Sequence, residues 1–193
     1  MMLENDPLRP EGAPHPLCRF YGVRAITRAL AQGRLHPDTR LAFLNVKHLP
    51  PERILLGRRI TTESGLFGLL ARSLCDGDPR LEPKVRDRLA RRHDRRPVTL
   101  GAGLALPHAA VPGLTGTRAV FVRTPTPVRM GVPDEAGVTD VLGLLVPSPG
   151  LPADYDLLMA LTAWLTRPEC LAALRAARTT RQILAVLTGE VPG

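Results

Sequence analysis

The chain has 193 residues, of which 44% are hydrophobic, and this is enough to bury the core of one domain with an extension. No apolar run approaches the roughly 18 residues of a membrane-spanning helix. The N-terminus is acidic and proline-rich, unlike a secretory signal, so we expect a cytoplasmic protein with no membrane partner.

The formal charge of +8 comes almost entirely from arginine, since Lys47 and Lys84 are the only lysines. Aromatic residues make up 4% of the chain, which disfavours a base-stacking surface for single-stranded nucleic acid. An acidic protein or a phosphorylated ligand suits this charge better, and nucleic acid is not the expected partner.

The three cysteines, Cys18, Cys75 and Cys170, are far apart and form no Cys-x-x-Cys pattern. This spacing argues against a disulfide framework and against a zinc site. We expect small buried thiols in a reducing compartment, and no bound metal.

The N-terminal part is read as two segments. Residues 1–16 carry four prolines and few apolar side chains, which predicts a flexible tail. Residues 17–48 form an extension of unknown role, with a helix predicted from Val23 to Leu30 and a stretch at 41–46 that fits either a strand or a helix. The main domain is then 49–193.

The main domain opens with a short strand at Ile54–Leu56, followed by helix caps at 61–64 and an amphipathic helix that ends at Asp76. A second helix is predicted to start near Arg80. Its apolar stripe consists of Leu81, Val85 and Leu89.

Arg92 lies two helical turns after Val85 and is therefore predicted to point inward with the stripe. A guanidinium on the inner side needs an anion or an acceptor nearby. Arg86, Arg91 and Arg95 lie off the stripe and are interpreted as solvated.

The next stretch holds the main candidate for chemistry. Gly101 and Gly103 indicate a sharp turn or a close approach of backbone. Leu104–Leu106 is a short apolar run of strand type, which Pro107 is predicted to end. His108 would then lie at the carboxyl end of a strand, where open α/β sheets bind ligands, as a candidate nucleophile, metal ligand or proton carrier.

Two more strands and a turn follow. A strand at 119–122 is predicted to form a hairpin with 128–130 across the prolines of 124–127. The near-continuous apolar run at 138–146 is typical of a central strand covered on both faces.

The C-terminal part is predicted to be helical. A first helix starts near Asp154 or Asp156, a second has Pro168 as its first residue, and a third covers Thr180 to Leu187. Strands flanked by helices on both sides predict an α/β layered fold.

The segment Gly101-Ala-Gly-Leu-Ala-Leu-Pro-His108 resembles a known signature, Gly-x-Gly-Ile-Ala-Ile-Pro-His. That signature belongs to the fructose/mannitol and nitrogen-regulatory class of enzyme IIA domains of the bacterial phosphoenolpyruvate-dependent phosphotransferase system. The likeness extends from about Leu49 to Leu187. It implies a small mixed β-sheet sandwiched between helices in three layers.

The resemblance also implies a function. The histidine that matches His108 accepts a phosphoryl group in this family, and an arginine precedes it by sixteen residues, as Arg92 precedes His108. The implied donor is an HPr-type phosphocarrier, itself phosphorylated on histidine, and no cofactor is implied. We expect the regulatory, nitrogen-type sort of IIA protein, with an unknown regulatory target.

The sequence departs from the family pattern at three places. Asp154 stands where members carry a second histidine, and the family's Arg-Glu pair is Arg92-His93 here. The Ser-Thr-Gly that precedes the glycine loop is replaced by 97–99, which leaves Thr99 as the hydroxyl of a candidate phosphate-binding loop with Gly101 and Gly103. A carboxylate such as Asp154 repels a phosphoryl group, although it can orient an imidazole.

Three functions stay open at this point. The first is a phosphocarrier that uses His108, Arg92 and the loop. The second is an interaction protein that kept the IIA fold and lost efficient phosphotransfer, motivated by Asp154. The third is a nucleic-acid-associated regulator using the helix at 23–30 and the arginines of 86–96, which predicts duplex affinity that falls steeply with salt.

Overall fold

The computed structural model describes residues 44–95, 98–131, 137–150 and 152–189. The predicted tail at 1–16 and the predicted helix from Val23 to Leu30 lie outside these ranges. Residues 44–46 of the ambiguous stretch are described, and they form neither a strand nor a helix. Leu44 and Leu49 are buried in the same core as the C-terminal helices.

In the part of the chain that the structure describes, six strands form one mixed sheet in the order β1-β5-β6-β3-β2, with β4 also paired to β6. The strands are β1 (Ile54–Leu55), β2 (Thr99–Gly101), β3 (Leu104–Ala105), β4 (His108–Pro112), β5 (Arg118–Val128) and β6 (Val138–Ser148). The central strand β6 is antiparallel to β5 and parallel to both β3 and β4. β3 and β4 are thus two pieces of one interrupted strand that runs along β6.

Within the described residues, five α-helices and a 3-10 turn at Pro51–Arg53 cover the sheet. The helices are α1 (Glu63–Leu74), α2 (Glu82–Arg95), α3 (Pro152–Leu165), α4 (Pro168–Ala176) and α5 (Thr180–Leu187). The first two bury their apolar side chains against one face of the sheet, and the other three against the opposite face. The predicted α/β fold, a mixed sheet between two helical layers, is confirmed.

Helix starts follow local sequence signals. The Thr62 hydroxyl accepts a hydrogen bond from the Gly65 amide at 3.1 Å and caps α1, as the 61–64 stretch predicts. Thr179 and Gln182 form a capping box at the start of α5. Pro168 is the first residue of α4, as expected from its missing N–H.

The predicted hairpin across 124–127 is wrong, because β5 continues through these residues and pairs Val128 with Val138 of β6. Pairing of β1 with β5 is confined to Phe121 and Val122, and the β5–β6 register is irregular between Arg123 and Val128. Prolines are tolerated in a strand where no ladder hydrogen bond needs their missing N–H. The chain therefore turns after Val128 rather than before it.

A charged pair crosses two strands in the sheet. Arg123 of β5 binds Asp140 of β6 through two hydrogen bonds of 2.6 and 3.0 Å, and their side chains are 20% and 11% exposed. The same guanidinium donates to the carbonyls of Leu174 and Ala177, where α4 ends. The pair ties the second helical layer to the sheet.

Within the described residues, no single helix is long and apolar enough to cross a membrane. The bent helix pair Asp154–Leu165 and Pro168–Ala176 has the length and apolar composition of a membrane span only when the two helices are taken together.

Candidate functional site

His108 is the first residue of β4, so its predicted position at the end of a strand is wrong. The strand does stop after Ala105, as Pro107 predicts, but it resumes at His108, which pairs with Leu144 of β6. The Pro107 carbonyl accepts from the Leu144 amide at 2.9 Å. Proline lacks only the donor, so its carbonyl keeps the interrupted strand attached to β6.

The backbone fixes the tautomer of the His108 ring. Nδ1 lies 2.9 Å from the carbonyl oxygen of Leu106. A carbonyl can only accept, so Nδ1 carries the proton and Nε2 carries the lone pair. Nε2 makes no hydrogen bond to any residue that the structure describes, and the side chain is only half-buried. The ring therefore presents a nucleophilic nitrogen.

Burial and a neighbouring charge keep this ring neutral. The pKa of His108 is lowered from 6.5 to about 4, first by burial and then by the positive charge of Arg92, while the Leu106 carbonyl acts in the opposite direction. At neutral pH the lone pair on Nε2 is not occupied by a proton. The positive charge of Arg92 thus acts on the His108 ring, and the phosphate-stabilising role of Arg92 stays a prediction.

Arg92 lies in the last turn of α2, and a residue beside it was missed by the sequence reasoning. His93 is 4% exposed, and its Nε2 lies 3.0 Å from the Met130 carbonyl oxygen and 3.7 Å from Glu63. The Phe67 ring packs against it at 5.7 Å between centroids. The sequence did contain a signal for this burial, because His93 lies four residues after Leu89 and so continues the row of buried side chains on α2. It anchors the turn that carries Arg92.

Asp154 lies in the first turn of α3, where it accepts a hydrogen bond of 2.6 Å from the Thr117 hydroxyl. Its negative charge also reaches His48, where it opposes the lowering of the pKa that burial of that ring causes. The groups that shift the pKa of His108 are its own burial, Arg92 and the Leu106 carbonyl, and Asp154 is not among them. The role of Asp154 at the site stays a prediction.

The candidate phosphate-binding loop lies on the hairpin between β2 and β3. Gly101, Ala102 and Gly103 have consecutive positive φ angles of 86°, 55° and 79°, which glycine adopts readily and alanine does not. With Thr99 they line an open cavity of about 410 Å³. The described residues that line this cavity include neither His108 nor Arg92. A phosphate-binding role for the loop stays a prediction.

Two of the three cysteines are described, and both are buried free thiols, as expected. Burial raises the pKa of Cys75, and it raises the pKa of Cys170 to about 12. Such thiols are poor nucleophiles and poor metal ligands.

The mixed sheet between helical layers, with His108 following the glycine loop, is the arrangement of a phosphotransferase enzyme IIA domain. The sequence model of one family, described as "Phosphoenolpyruvate-dependent sugar phosphotransferase system, EIIA 2", matches residues 47–189. The chain belongs to this family, and the resemblance seen in the sequence is confirmed.

Solved structures share the fold. The nitrogen regulatory protein IIA-Ntr of Neisseria meningitidis is 24% identical, with a TM-score of 0.67 over 73% of this chain and 97% of that chain. The mannitol IIA domain of Escherichia coli is 24% identical, with a TM-score of 0.56 over 70% of this chain and 96% of that chain.

A second Escherichia coli structure, the complex of mannitol enzyme IIA with phosphorylated mannitol enzyme IIB, is 22% identical. It has a TM-score of 0.58 over 72% of this chain and 95% of that chain. A comparison with curated proteins gave no significant match.

Proposed function

We propose that this protein is a phosphocarrier that accepts a phosphoryl group on Nε2 of His108 from an HPr-type donor. The observation that carries the proposal is the Nδ1 contact with the Leu106 carbonyl at 2.9 Å, which leaves the lone pair on Nε2. A nucleophile for phosphoryl transfer needs an unprotonated atom held in one orientation, with positive charge near the phosphoryl oxygens. The oriented, unprotonated Nε2 of His108 and the positive charge that Arg92 exerts on this ring support the proposal.

The transfer is balanced without a further reactant. The Nε2 lone pair forms a bond to phosphorus as the phosphorus–nitrogen bond of the donor breaks, and that electron pair stays on the donor's imidazole. Nδ1 keeps its proton, so the His108 ring gains positive charge, which the Leu106 carbonyl stabilises. Arg92 stabilises the negative charge of the phosphoryl oxygens.

The test is labelling with a phosphorylated HPr-type carrier. We expect the wild type to gain one phosphoryl group that is lost in acid and kept in base, as for a phosphorus–nitrogen bond. His108→Gln should gain none, whereas His48→Gln, a change at another half-buried histidine, should be labelled like the wild type. Equal labelling of His108→Gln and the wild type would remove the mechanism.

Asp154 favours a second candidate, a regulatory interaction protein of this fold without efficient phosphotransfer. A carboxylate would repel a phosphoryl group brought near it, and the hydrogen bond of 2.6 Å from the Thr117 hydroxyl holds the Asp154 carboxylate in place. If Asp154→His is labelled and the wild type is not, the second candidate is correct. Fast labelling of the wild type excludes it.

Phosphotransfer to a partner that regulates rather than transports sugar is the finer part of the proposal. It is supported by the similarity to IIA-Ntr, whose TM-score is higher than those of the two mannitol structures.

A further inference from the structure

A second arginine of α2 is directed at β4. Arg88 lies four residues before Arg92, so the two side chains leave the same face of the helix one turn apart. The Arg88 guanidinium donates a hydrogen bond of 3.2 Å to the carbonyl oxygen of Ala110, two residues after His108. The phosphoryl transfer proposed above assigns this arginine no part.

α2 packs along β4 and runs in the opposite direction. Beyond the helix the chain returns beside β3, where the Val98 carbonyl accepts from the Leu106 amide at 2.9 Å. Four residues of a helix rise about 6 Å, and two residues of a strand cover about 7 Å. Because Arg88 contacts β4 two residues after His108, the next turn of the helix, which carries Arg92, faces His108 itself. The two guanidinium groups are thus spaced along the strand about as far apart as the residues they face.

The contact of Arg88 lies on the free edge of β4. The Leu144 amide of β6 donates to the Pro107 carbonyl, and alternate residues of a parallel strand bond the same neighbour. The backbone groups of His108 and Ala110 therefore face away from β6. Side chains two residues apart on a strand share a face, and Ala110 is exposed with only a methyl group. β4 therefore places no large side chain between the His108 ring and the Arg88 guanidinium.

Arg88 carries a charge that the described residues do not neutralise. Its side chain is exposed, and in the described ranges it forms no salt bridge. A guanidinium has five N–H donors, so the hydrogen bond to Ala110 leaves donors for a further acceptor. Burial, Arg92 and the Leu106 carbonyl shift the pKa of His108, and Arg88 is not among these causes. Before phosphorylation its charge is held on a neutral carbonyl, apart from the ring.

We propose that Arg88 is a second phosphoryl-binding residue, which leaves the Ala110 carbonyl and binds the phosphoryl oxygens once His108 is phosphorylated. This inference rests on the proposed function, because it concerns the same phosphoryl group. The three oxygens of that group share nearly two negative charges, more than one guanidinium neutralises. A hydrogen bond between two charged groups is about twice as strong as one between neutral groups. Exchange of the carbonyl for a phosphoryl oxygen is therefore favourable, and it needs rotation of the Arg88 side chain alone.

This arrangement stabilises one state of the protein selectively. Arg88 contacts a carbonyl before transfer and the phosphoryl group after it, so its charge favours the phosphorylated protein over the unphosphorylated one. The equilibrium constant for phosphorylation should therefore depend on Arg88, whereas the protonation of the free His108 ring should not.

The test measures that equilibrium constant with two donors, the phosphorylated HPr-type carrier and phosphoramidate, a small molecule that needs no protein contact. With either donor, the constant should be about fivefold smaller for Arg88→Met than for the wild type, the effect of one charge interaction at an exposed position. Arg88→Lys keeps the charge and should recover most of the loss. Arg91→Met, which removes an exposed guanidinium paired with Asp87 on the same helix, is the matched control and should stay within about 1.5-fold of the wild type.

Two further readouts separate phosphoryl binding from a structural role. An NMR titration of the unphosphorylated His108 ring should be the same in Arg88→Met and the wild type, and the guanidinium signal of Arg88 should shift when His108 is phosphorylated. The fivefold difference should shrink in about 1 M salt, which screens exposed charges. An equal loss in Arg91→Met, or no recovery in Arg88→Lys, would overturn the assignment of Arg88.

The two donors also separate this inference from the proposed function. If phosphoramidate phosphorylates His108 with the expected dependence on Arg88 and the carrier does not, the assignment of Arg88 stands and the carrier-dependent function falls. If the carrier labels the wild type and Arg88→Met has an unchanged constant with phosphoramidate, the function stands and the assignment of Arg88 falls. Failure of both donors to label the wild type would overturn both.

Discussion

Replacing His108 by glutamine should change how the stability of the protein depends on pH. The folded pKa of about 4 lies below the ordinary value of 6.5. Between these values the unfolded chain binds more protons than the folded chain, so stability rises with pH. The contribution of His108 is fully present above pH 6.5 and is lost as the pH falls towards 4.

The magnitude follows from the two pKa values. One pKa unit corresponds to about 1.4 kcal/mol, so the whole difference is about 3 kcal/mol. Between about pH 7 and about pH 4.5, the wild type should lose about 2 kcal/mol through this ring alone. His108→Gln lacks the titrating group. Its free energy of unfolding should therefore fall by about 2 kcal/mol less than that of the wild type over the same pH interval.

The assay is urea unfolding of both proteins at the two pH values, together with an NMR titration of the His108 ring. The titration should show one nitrogen protonated throughout and the other unprotonated down to about pH 5. A ring pKa at or above 6.5, or parallel losses of stability in the two proteins, would refute the neutral nucleophile on which the proposed mechanism depends.

Three further predictions concern the framework. Asp140→Ala should destabilise the protein by about 3 kcal/mol because it leaves the Arg123 guanidinium without its counter-charge, and denaturant unfolding of Arg123→Met/Asp140→Leu should show recovery of part of that loss. His93→Ala should raise the pKa of His108 by loosening the turn that carries Arg92, whereas His93→Gln, which can still donate to the Met130 carbonyl, should not; an unchanged NMR titration in both would contradict the anchoring role. Thr179→Ala should cost about 1 kcal/mol through loss of the α5 cap, and calorimetry should show a Tm lowered by about 2–4 °C.

Elements encoded by local signals were predictable from the sequence. The Thr62 cap, the start of α4 at Pro168 and the central strand β6 depend on features within a few residues of each element. The long β5 was not predictable in this way. Pro125 and Pro127 look like turn residues. A strand accommodates them because β1 pairs only with Phe121 and Val122 and because the β5–β6 register is irregular between Arg123 and Val128.

At the candidate site, too, the sequence predicted some features and could not predict others. The helical phase of α2 and the spacing to His108 predicted that Arg92 acts at His108, and the positive charge of Arg92 contributes to the lowered pKa of that ring. The contact between Nδ1 and the Leu106 carbonyl depends on how the chain kinks at Pro107, which no pattern of residue types specifies. The Arg123–Asp140 pair likewise arises from the alignment of two strands that are distant in sequence.

The guanidinium of Arg88 on the carbonyl of Ala110 has a consequence for solubility. Among the described strands β4 pairs only with β6, so its other side presents open backbone groups at the margin of the sheet. Such a margin is a template on which another chain can add a strand and begin to aggregate. The Arg88 guanidinium donates to the Ala110 carbonyl at 3.2 Å, so this carbonyl is not open to pairing with an added strand. Arg88 therefore protects the edge of β4 close to His108, the residue that has to stay accessible to a donor.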